Sequence, residues 1–324
     1  MVSSAKLLGV AILLGCMASS LSGQDNCRQR TVPVTVTDAH GASVQPLTAH
    51  DFKAIYRGHP LNILGVSHAQ AQHRIVVLLD VSGSMHSIWP AAHAAATDLI
   101  ASTDFRTPIA LMAFSDKVQT AIDFSAGRQA VIRWLESNPV ETPKMPQGKT
   151  AFYDTIVEAI KLLQPAQPGD TIYAVTDGGD NASHVSAQKA TLALQSAGIR
   201  LMGICLTYPS LIETPEEDER GRKFFDLARD SGGATVQFSA IEPFADSRSP
   251  RFSYDENFFA KLKSTTATIE IREPYFLTVE LPEDPAKPTG WRFEVVNAYG
   301  RSRKGMLVFY PHEVLPCPAS SDSH

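Results

Sequence analysis

This sequence lacks the residue patterns that assign a chain to several common metal-binding or hydrolytic classes. Its four cysteines have no zinc-binding spacing, and its ten histidines include no H-E-x-x-H pair. The letters VSGSM at 81–85 also depart from the G-x-S-x-G turn that presents a hydrolase nucleophile. The sequence therefore gives no support to a zinc site or to the nucleophile turn of a serine hydrolase.

A complete phosphate-binding loop and an excess of positive charge are also missing. The letters GKT at 148–150 match the end of such a loop, but Pro143 stands where it requires a glycine, five residues before Gly148. The chain has 29 Lys and Arg against 34 Asp and Glu, a formal net charge of −5. We therefore expect neither a P-loop nucleotide site nor binding to nucleic acid.

Apolar runs long enough to span a membrane are absent after the N-terminus, so we expect no transmembrane segment in the mature chain. The N-terminus itself, "MVSSAKLLGVAILLGCMASSLSGQ", has one Lys, a short apolar run and then small residues. This layout predicts a secretory signal peptide over 1–23, cleaved near Gly23. "LLGC" alternatively fits a lipoprotein signal, which would leave a lipid anchor on Cys16. Both interpretations predict an exported protein: secreted, periplasmic or membrane-anchored.

Export permits disulfides, and two cysteines are placed for one. Cys27 and Cys317 lie just outside the first and last strand-like segments, so a bridge between them would join the two ends of the chain. The sequence leaves open whether it forms. Cys205 lies in the apolar run "RLMGICLTY" and is interpreted as a small buried hydrophobe.

The middle of the chain alternates buried strands with helices. At 324 residues and 44% hydrophobic, the chain can bury the core of one large domain or two smaller ones. Apolar runs predict strands at 75–79, 109–114, 172–176, 200–206 and 234–238, with an antiparallel edge strand at 118–124. Helices are predicted at 90–102, 126–137, 151–163, 186–197, 222–230 and 257–264, and the acidic run 213–223 is interpreted as a solvated loop. The pattern predicts a Rossmann-like α/β domain over 73–264, with a mostly parallel sheet covered on both faces.

The two flanks of this domain are β-rich instead. Residues 31–38, "TVPVTVTD", alternate as a half-buried strand in which Pro33 suits an edge, and the pattern at 52–66 predicts a hairpin. Alternation returns in "YFLTVEL" and "WRFEVV". Neither flank has enough core to stand alone. We therefore expect the N-terminal segment 24–72 to pair with the C-terminal segment 265–314 in one small β module, followed by a tail at 315–324.

Oxygen-bearing side chains follow two of the predicted buried strands. Asp80, Ser82 and Ser84 end the first strand, and Asp177 follows the strand at 172–176. Ligands of open parallel sheets bind beyond the carboxyl ends of the strands. Thr150, at a predicted helix start, supplies a further hydroxyl. Carboxylates and hydroxyls suit hard cations such as Mg²⁺, Mn²⁺ or Ca²⁺ rather than zinc.

These three segments together resemble a von Willebrand factor type A domain. That family uses D-x-S-x-S, a later Thr and a later Asp as a metal-ion-dependent adhesion site. The flanks "VTVTDAHGASVQPLTAHDFKAIYRGHP" and "GKTAFYDTI…TDGGDNAS" resemble more specifically an acidobacterial family of exported proteins related to it. The resemblance implies that Ser82, Ser84 and Thr150 give hydroxyl oxygens to the ion, and that Asp80 and Asp177 bind it directly or through water.

The chain departs from the family pattern at Lys149, which precedes the metal-site threonine where the family more often has a small residue. Lys149, His86 and Asp180 are expected at the rim of the site. A cation beside the ion can oppose metal binding or help to hold an acidic ligand, and the sequence does not decide between these effects.

The resemblance implies a non-catalytic module for adhesion or complex assembly, which binds Mg²⁺ (or Mn²⁺ or Ca²⁺) and recognises an Asp or Glu of a protein partner through it. One alternative is a metal-dependent hydrolase, for which Asp154 and Asp180 are the only unassigned carboxylates in the motif segments. Another is a vestigial metal site, with binding carried by the β module.

Overall fold

A computed structural model describes residues 27–39, 42–44, 46–68, 73–138, 147–207, 215–239, 255–267 and 274–317. The predicted signal peptide and Cys16 lie outside these ranges. The strands are β1 (Gln29–Asp38), β2 (Phe52–Tyr56), β3 (His59–His68), β4 (Ile75–Asp80), β5 (Ile109–Phe114), β6 (Val118–Ile122), β7 (Thr171–Thr176), β8 (Arg200–Thr207), β9 (Thr235–Ser239), β10 (Tyr275–Glu280), β11 (Thr289–Val295), β12 (Met306–Phe309) and β13 (Glu313–Val314). The α-helices are α1 (Trp89–Ser102), α2 (Arg128–Ser137), α3 (Phe152–Leu162), α4 (Ala187–Ala197), α5 (Pro215–Asp230) and α6 (Glu256–Ala267).

A six-stranded sheet forms the centre of the molecule, in the order β6-β5-β4-β7-β8-β9. All neighbours pair in parallel except β6, which runs antiparallel to β5 at one edge. Every residue of β4, β5 and β7 is buried, as expected of strands covered on both faces. The alternation of side chains along β4 supplies two cores, with Ile75, Val77 and Leu79 in one and Val76 and Leu78 in the other.

Helices cover both faces of this sheet. Residues of α1, α2 and α6 pack in the first core, and residues of α3, α4 and α5 pack in the second. Full burial of a side chain such as Leu78 contributes about 1.5–3 kcal/mol, so these two layers supply most of the stability of the α/β domain. In the described residues no helix has the length and apolar character needed to cross a membrane.

The second sheet is antiparallel and is built from both ends of the chain, in the order β12-β1-β10-β3-β2-β11-β13. Strand β1 pairs with β10, and β2 pairs with β11. The hairpin β2–β3 turns through Arg57 and Gly58, both with positive φ, as its two-residue turn requires. Cys27 and Cys317 are joined by a disulfide. The predicted fold class, a parallel sheet covered by helices with a β module from the two flanks, is therefore confirmed.

Two local expectations need correction or refinement. The charge of the run 213–223 predicts a loop, but α5 begins at Pro215; proline is favoured in a first helical turn, and Glu and Arg have high helix propensity. Pro33 lies in a strand that has neighbours on both sides. It suits that place because β12 pairs only with Thr35–Asp38, whereas Pro33 pairs with Phe276 of β10.

The β module contacts the α/β domain near the amino ends of the central strands. Arg200, the first residue of β8, is buried and donates from Nη1 to Thr35 Oγ1 of β1 (3.1 Å) and from Nη2 to Thr171 Oγ1 (3.1 Å). Burial disfavours its charge and lowers the pKa of Arg200 to about 10. The carboxyl ends of the central strands therefore lie on the side of the sheet opposite this contact.

Candidate metal centre

The two carboxylates of the candidate site lie on neighbouring strands. Asp80 is the last residue of β4, and Asp177 directly follows β7. These strands pair in parallel, with Leu79 opposite Val175. Both carboxylates therefore lie at the carboxyl ends of the central strands, where open α/β folds bind their ligands. This end of the sheet is called the metal edge below.

Asp80 is fully buried, and its two carboxylate oxygens have separate partners. Oδ1 accepts the N–H of Ser82 (2.9 Å), and Oδ2 accepts the hydroxyl of Thr176 (2.7 Å). Burial and the nearby Asp177 carboxylate raise the pKa of Asp80 to about 7, against these hydrogen bonds. The edge thus has closely spaced negative charge that a bound cation would stabilise.

The two serines of the D-x-S-x-S segment bring a pair of hydroxyls beside Asp80. Ser82 Oγ and Ser84 Oγ lie 3.2 Å apart; the Ser82 residue is buried and the Ser84 residue is exposed. Ser82 precedes a short 3₁₀ helix, Gly83–Ile88, which leads into α1. The segment therefore joins a buried carboxylate to a hydroxyl at the surface.

Backbone hydrogen bonds attach the Thr150 segment to both neighbouring loops. Gly83 N–H donates to Gly148 O (3.0 Å), which links this segment to the serines. Thr150 is buried, its N–H donates to Asn181 Oδ1 (2.8 Å), and its carbonyl accepts the N–H of Asn181 (2.9 Å). Asp177 Oδ1 accepts the N–H of Gly179 (2.9 Å) in the same loop as Asn181. All five predicted ligands thus belong to three segments at the same end of the sheet. Hydrogen bonds join the Thr150 segment to each of the other two.

The three predicted rim residues differ in their surroundings. His86 and Lys149 are exposed. Asp180 instead serves the start of α3: its Oδ2 accepts the N–H of Tyr153 (3.0 Å) and the hydroxyl of Ser183 (2.5 Å). Its carboxylate therefore orders the loop after Asp177.

The contacts of two further residues beside the candidate ligands were not predicted from the sequence. Thr176 donates to Asp80, and Asn181 connects the Thr150 segment to the loop after β7. The signal for Thr176 was a polar residue at the end of an otherwise apolar strand, directly before Asp177. Asn181 follows "TDGGD", a position that is typical of an ordinary turn residue.

The donor set suits a hard cation held partly by neutral oxygens. In the described part of the chain, no three His, Cys, Asp or Glu side chains group so that they could hold a metal ion. A metal at this edge would therefore depend on hydroxyls as well as the Asp80 and Asp177 carboxylates. Such an oxygen set fits Mg²⁺, Mn²⁺ or Ca²⁺.

A family comparison agrees with this arrangement of strand, motif and loop. Residues 75–179 match the model of the von Willebrand factor type A domain. This chain contains a von Willebrand factor type A domain. The matched part of the type A domain runs from the start of β4 to the loop after Asp177, so it includes all five candidate ligands.

Solved structures that resemble this type A protein are distant in sequence. An aerotolerance-related membrane protein from Bacteroides fragilis NCTC 9343 is 16% identical, with TM-score 0.42, over 61% of this chain and 98% of that one. The conserved hypothetical protein BatB from Bacteroides thetaiotaomicron is 14% identical, with TM-score 0.38, over 60% and 98%. A von Willebrand factor type A protein from Catenulispora acidiphila is 14% identical, with TM-score 0.39, over 90% and 74%. No curated protein matches the chain. Function does not transfer across such low identities.

Proposed function

We propose that this protein is an exported, non-catalytic binding module that holds a divalent cation and recognises an acidic residue of a protein partner through it. Asp80, Ser82, Ser84, Thr150 and Asp177 would hold the ion, with Mg²⁺ first and Mn²⁺ or Ca²⁺ as alternatives. The observation that carries the proposal is the buried Asp80 carboxylate beside Asp177, at the edge that also collects three hydroxyl-bearing side chains.

The charge of the ligand set explains why an acidic partner would bind. Serine and threonine hydroxyls are neutral ligands, so two carboxylates are the only negative side chains among the five candidates. A divalent cation held there keeps Lewis acidity toward a further oxygen. Ser84 is exposed, which leaves the surface side of the site accessible to a carboxylate from another molecule.

Asp154 and Asp180, the two candidates for the general base of a hydrolase, both accept hydrogen bonds from the backbone. Asp154 accepts the N–H groups of His184 (3.0 Å) and Val185 (2.8 Å), and Asp180 accepts the N–H of Tyr153 at the start of α3. Against the effect of burial, hydrogen bonds from His184 and Val185 hold the pKa of Asp154 below its usual range, which makes it a weak base. This favours the binding module over the hydrolase.

Export is the part of the proposal that the N-terminal sequence supports. The signal-like segment 1–23 and the disulfide between Cys27 and Cys317 both fit an oxidising compartment. Secretion and lipidation at Cys16 remain the two routes, and mass spectrometry of the mature N-terminus in the native host distinguishes them.

The test of metal binding is thermal unfolding of the chain from Gln24, titrated with each of the three cations. Stability should rise by about 2.7 kcal/mol at a hundredfold excess of metal over Kd. The variant Asp80→Ala, Ser82→Ala should lose this response. The chain offers a matched control in Asp123→Ala, Ser125→Ala, because Ser125 N–H donates to Asp123 Oδ1 (2.9 Å) as Ser82 does to Asp80.

The control turn is exposed and distant from the candidate ligands in sequence, so its double variant should keep the metal response. A response lost equally in both variants, or absent from the parent protein with every cation, would contradict the metal site. Partner chemistry is tested by selecting displayed peptides in Mg²⁺ and eluting them with EDTA. Enrichment of Asp or Glu supports recognition through the ion, and peptides that stay bound in EDTA contradict it.

A further inference from the structure

The loop between β11 and β12 presents an aromatic side chain to solvent. Every residue of this loop, 297–305, is exposed. Tyr299 is 87% exposed, the largest value among the exposed large apolar side chains of the described residues. Leu307, just after the loop on β12, is 50% exposed. Two of the four exposed large apolar residues in the described ranges thus lie in this loop or just after it.

Hydrogen bonds hold the loop in a defined shape. Asn297 Oδ1 accepts the N–H groups of Tyr299 (3.0 Å) and Arg301 (3.1 Å). The backbone of Asn297 also exchanges bonds with the loop, since its carbonyl accepts Gly300 N–H (2.8 Å) and its N–H donates to Arg301 O (2.9 Å). Gly300 takes a positive φ of 70°, which favours glycine. Tyr299 is therefore presented by an ordered turn.

The same loop carries a local excess of positive charge in an acidic protein. Arg301, Arg303 and Lys304 are exposed. Two carboxylates lie beside the loop: Arg303 interacts electrostatically with Asp51, and Glu294, which also pairs with Arg292, accepts the hydroxyl of Ser302 (2.6 Å). Residues 295–309 contain no Asp or Glu, although the whole chain has a net charge of −5. The loop, with three cations and no acidic residue of its own, therefore attracts anions although the chain as a whole is acidic.

The size of the loop favours a flat anionic surface over a protein partner. A specific protein interface takes about 800 Å² and roughly 20–30 residues from each side, more than the residues 297–305 provide. Tyrosine is a side chain of membrane–water interfaces, because its ring is apolar and its hydroxyl is wet. Clustered Arg and Lys near a bilayer are attracted to anionic headgroups.

We propose that the 297–305 loop binds the surface of an anionic lipid bilayer, with Tyr299 at headgroup depth and Arg301, Arg303 and Lys304 against lipid phosphates. This association is separate from the metal site and does not depend on it. It would add an electrostatic contact to whatever the N-terminus does in localising the protein.

The test is co-sedimentation of the chain from Gln24 with lipid vesicles, because the apolar run Leu7–Leu14 would itself bind lipid. Vesicles of phosphatidylcholine alone are compared with vesicles that also contain phosphatidylglycerol. Binding should require phosphatidylglycerol and weaken with salt. Each cation removed should cost roughly fivefold in partitioning, so Arg301→Ala, Arg303→Ala, Lys304→Ala should lose about a hundredfold.

The matched control removes three exposed cations from the α/β domain: Lys117→Ala, Arg133→Ala, Lys189→Ala. This control should bind vesicles as the parent does. In a second measurement, the variant Tyr299→Trp should show a blue shift of fluorescence with anionic vesicles that the parent does not show, which reports contact of that side chain with lipid. Absence of binding to phosphatidylglycerol vesicles, an equal loss in both triple variants, or an emission of the Tyr299→Trp variant that anionic vesicles leave unchanged would each overturn the proposal.

Discussion

At the scale of single residues, Asp80 is a carboxylate whose surroundings disfavour its negative charge. Its carboxylate is fully buried, the charged group that raises its pKa is another carboxylate, and Ser82 and Thr176 provide its hydrogen bonds. A buried negative charge without a cation is costly, whereas the same charge in contact with a divalent ion is stabilising. Replacing Asp80 by a neutral residue should therefore raise stability without a cation and lower it when a divalent cation is bound.

We expect Asp80→Asn to stabilise the protein in EDTA at neutral pH and to remove its response to metal. Removing a buried charge, together with its repulsion by Asp177, should contribute about 1–3 kcal/mol. Urea unfolding of both proteins, with EDTA and with Mg²⁺, measures this. If the asparagine variant is less stable than the parent in EDTA, Asp80 acts only as a hydrogen-bonding turn residue.

Asp154 is the opposite case, a carboxylate whose role is structural. Partial burial acts to raise its pKa, but N–H donors from His184 and Val185 outweigh this and hold the pKa of Asp154 below its usual range. A lowered pKa means that its contribution to stability is complete above the unfolded value, about 4, and is lost as the pH falls through the folded value.

We therefore expect Asp154→Ala to lower the free energy of unfolding by about 1–3 kcal/mol at pH 7. The difference between variant and parent should shrink as the pH falls below about 4. Denaturant unfolding at a series of pH values measures it. A difference that persists unchanged into strong acid would show that the loss comes from packing and not from the carboxylate.

At the scale of elements, apolar runs allowed the central strands and most helices to be predicted. Strands such as β4 are buried on both faces, so their sequence is continuously apolar and their boundaries fall where polar residues begin. The start of α5 was missed because charged residues fit a solvated loop as well as a helix. Composition alone does not distinguish these two states.

The sequence predicts the five candidate ligands, which remain a prediction, but it does not predict the residues that hydrogen-bond to them. D-x-S-x-S, a Thr and an Asp can be recognised from spacing, since each follows or precedes a recognisable element. Thr176 and Asn181 act through contacts between residues far apart in sequence, such as Thr150 N–H to Asn181 Oδ1 across 31 positions. Such contacts are set by the tertiary fold, which one sequence does not show.

At the scale of the whole molecule, the β module closes the chain on itself. Strands from both flanks pair in one sheet, so its assembly brings together two segments that the whole α/β domain separates in sequence. The disulfide joins Cys27 to Cys317 over 290 positions. Because it restricts a very long loop in the unfolded chain, it should contribute to stability without touching the metal edge.

We expect the double variant Cys27→Ser, Cys317→Ser to lose about 2–4 kcal/mol of unfolding free energy. Its metal response should be retained, because the β module contacts the central sheet near the amino ends of its strands. Urea unfolding with and without reductant measures the loss: reductant should destabilise the parent and leave the variant unchanged. A parent insensitive to reductant under unfolding conditions would show that the bridge does not stabilise the module. A variant that also loses its metal response would instead show that the candidate metal site depends on the order of the β module.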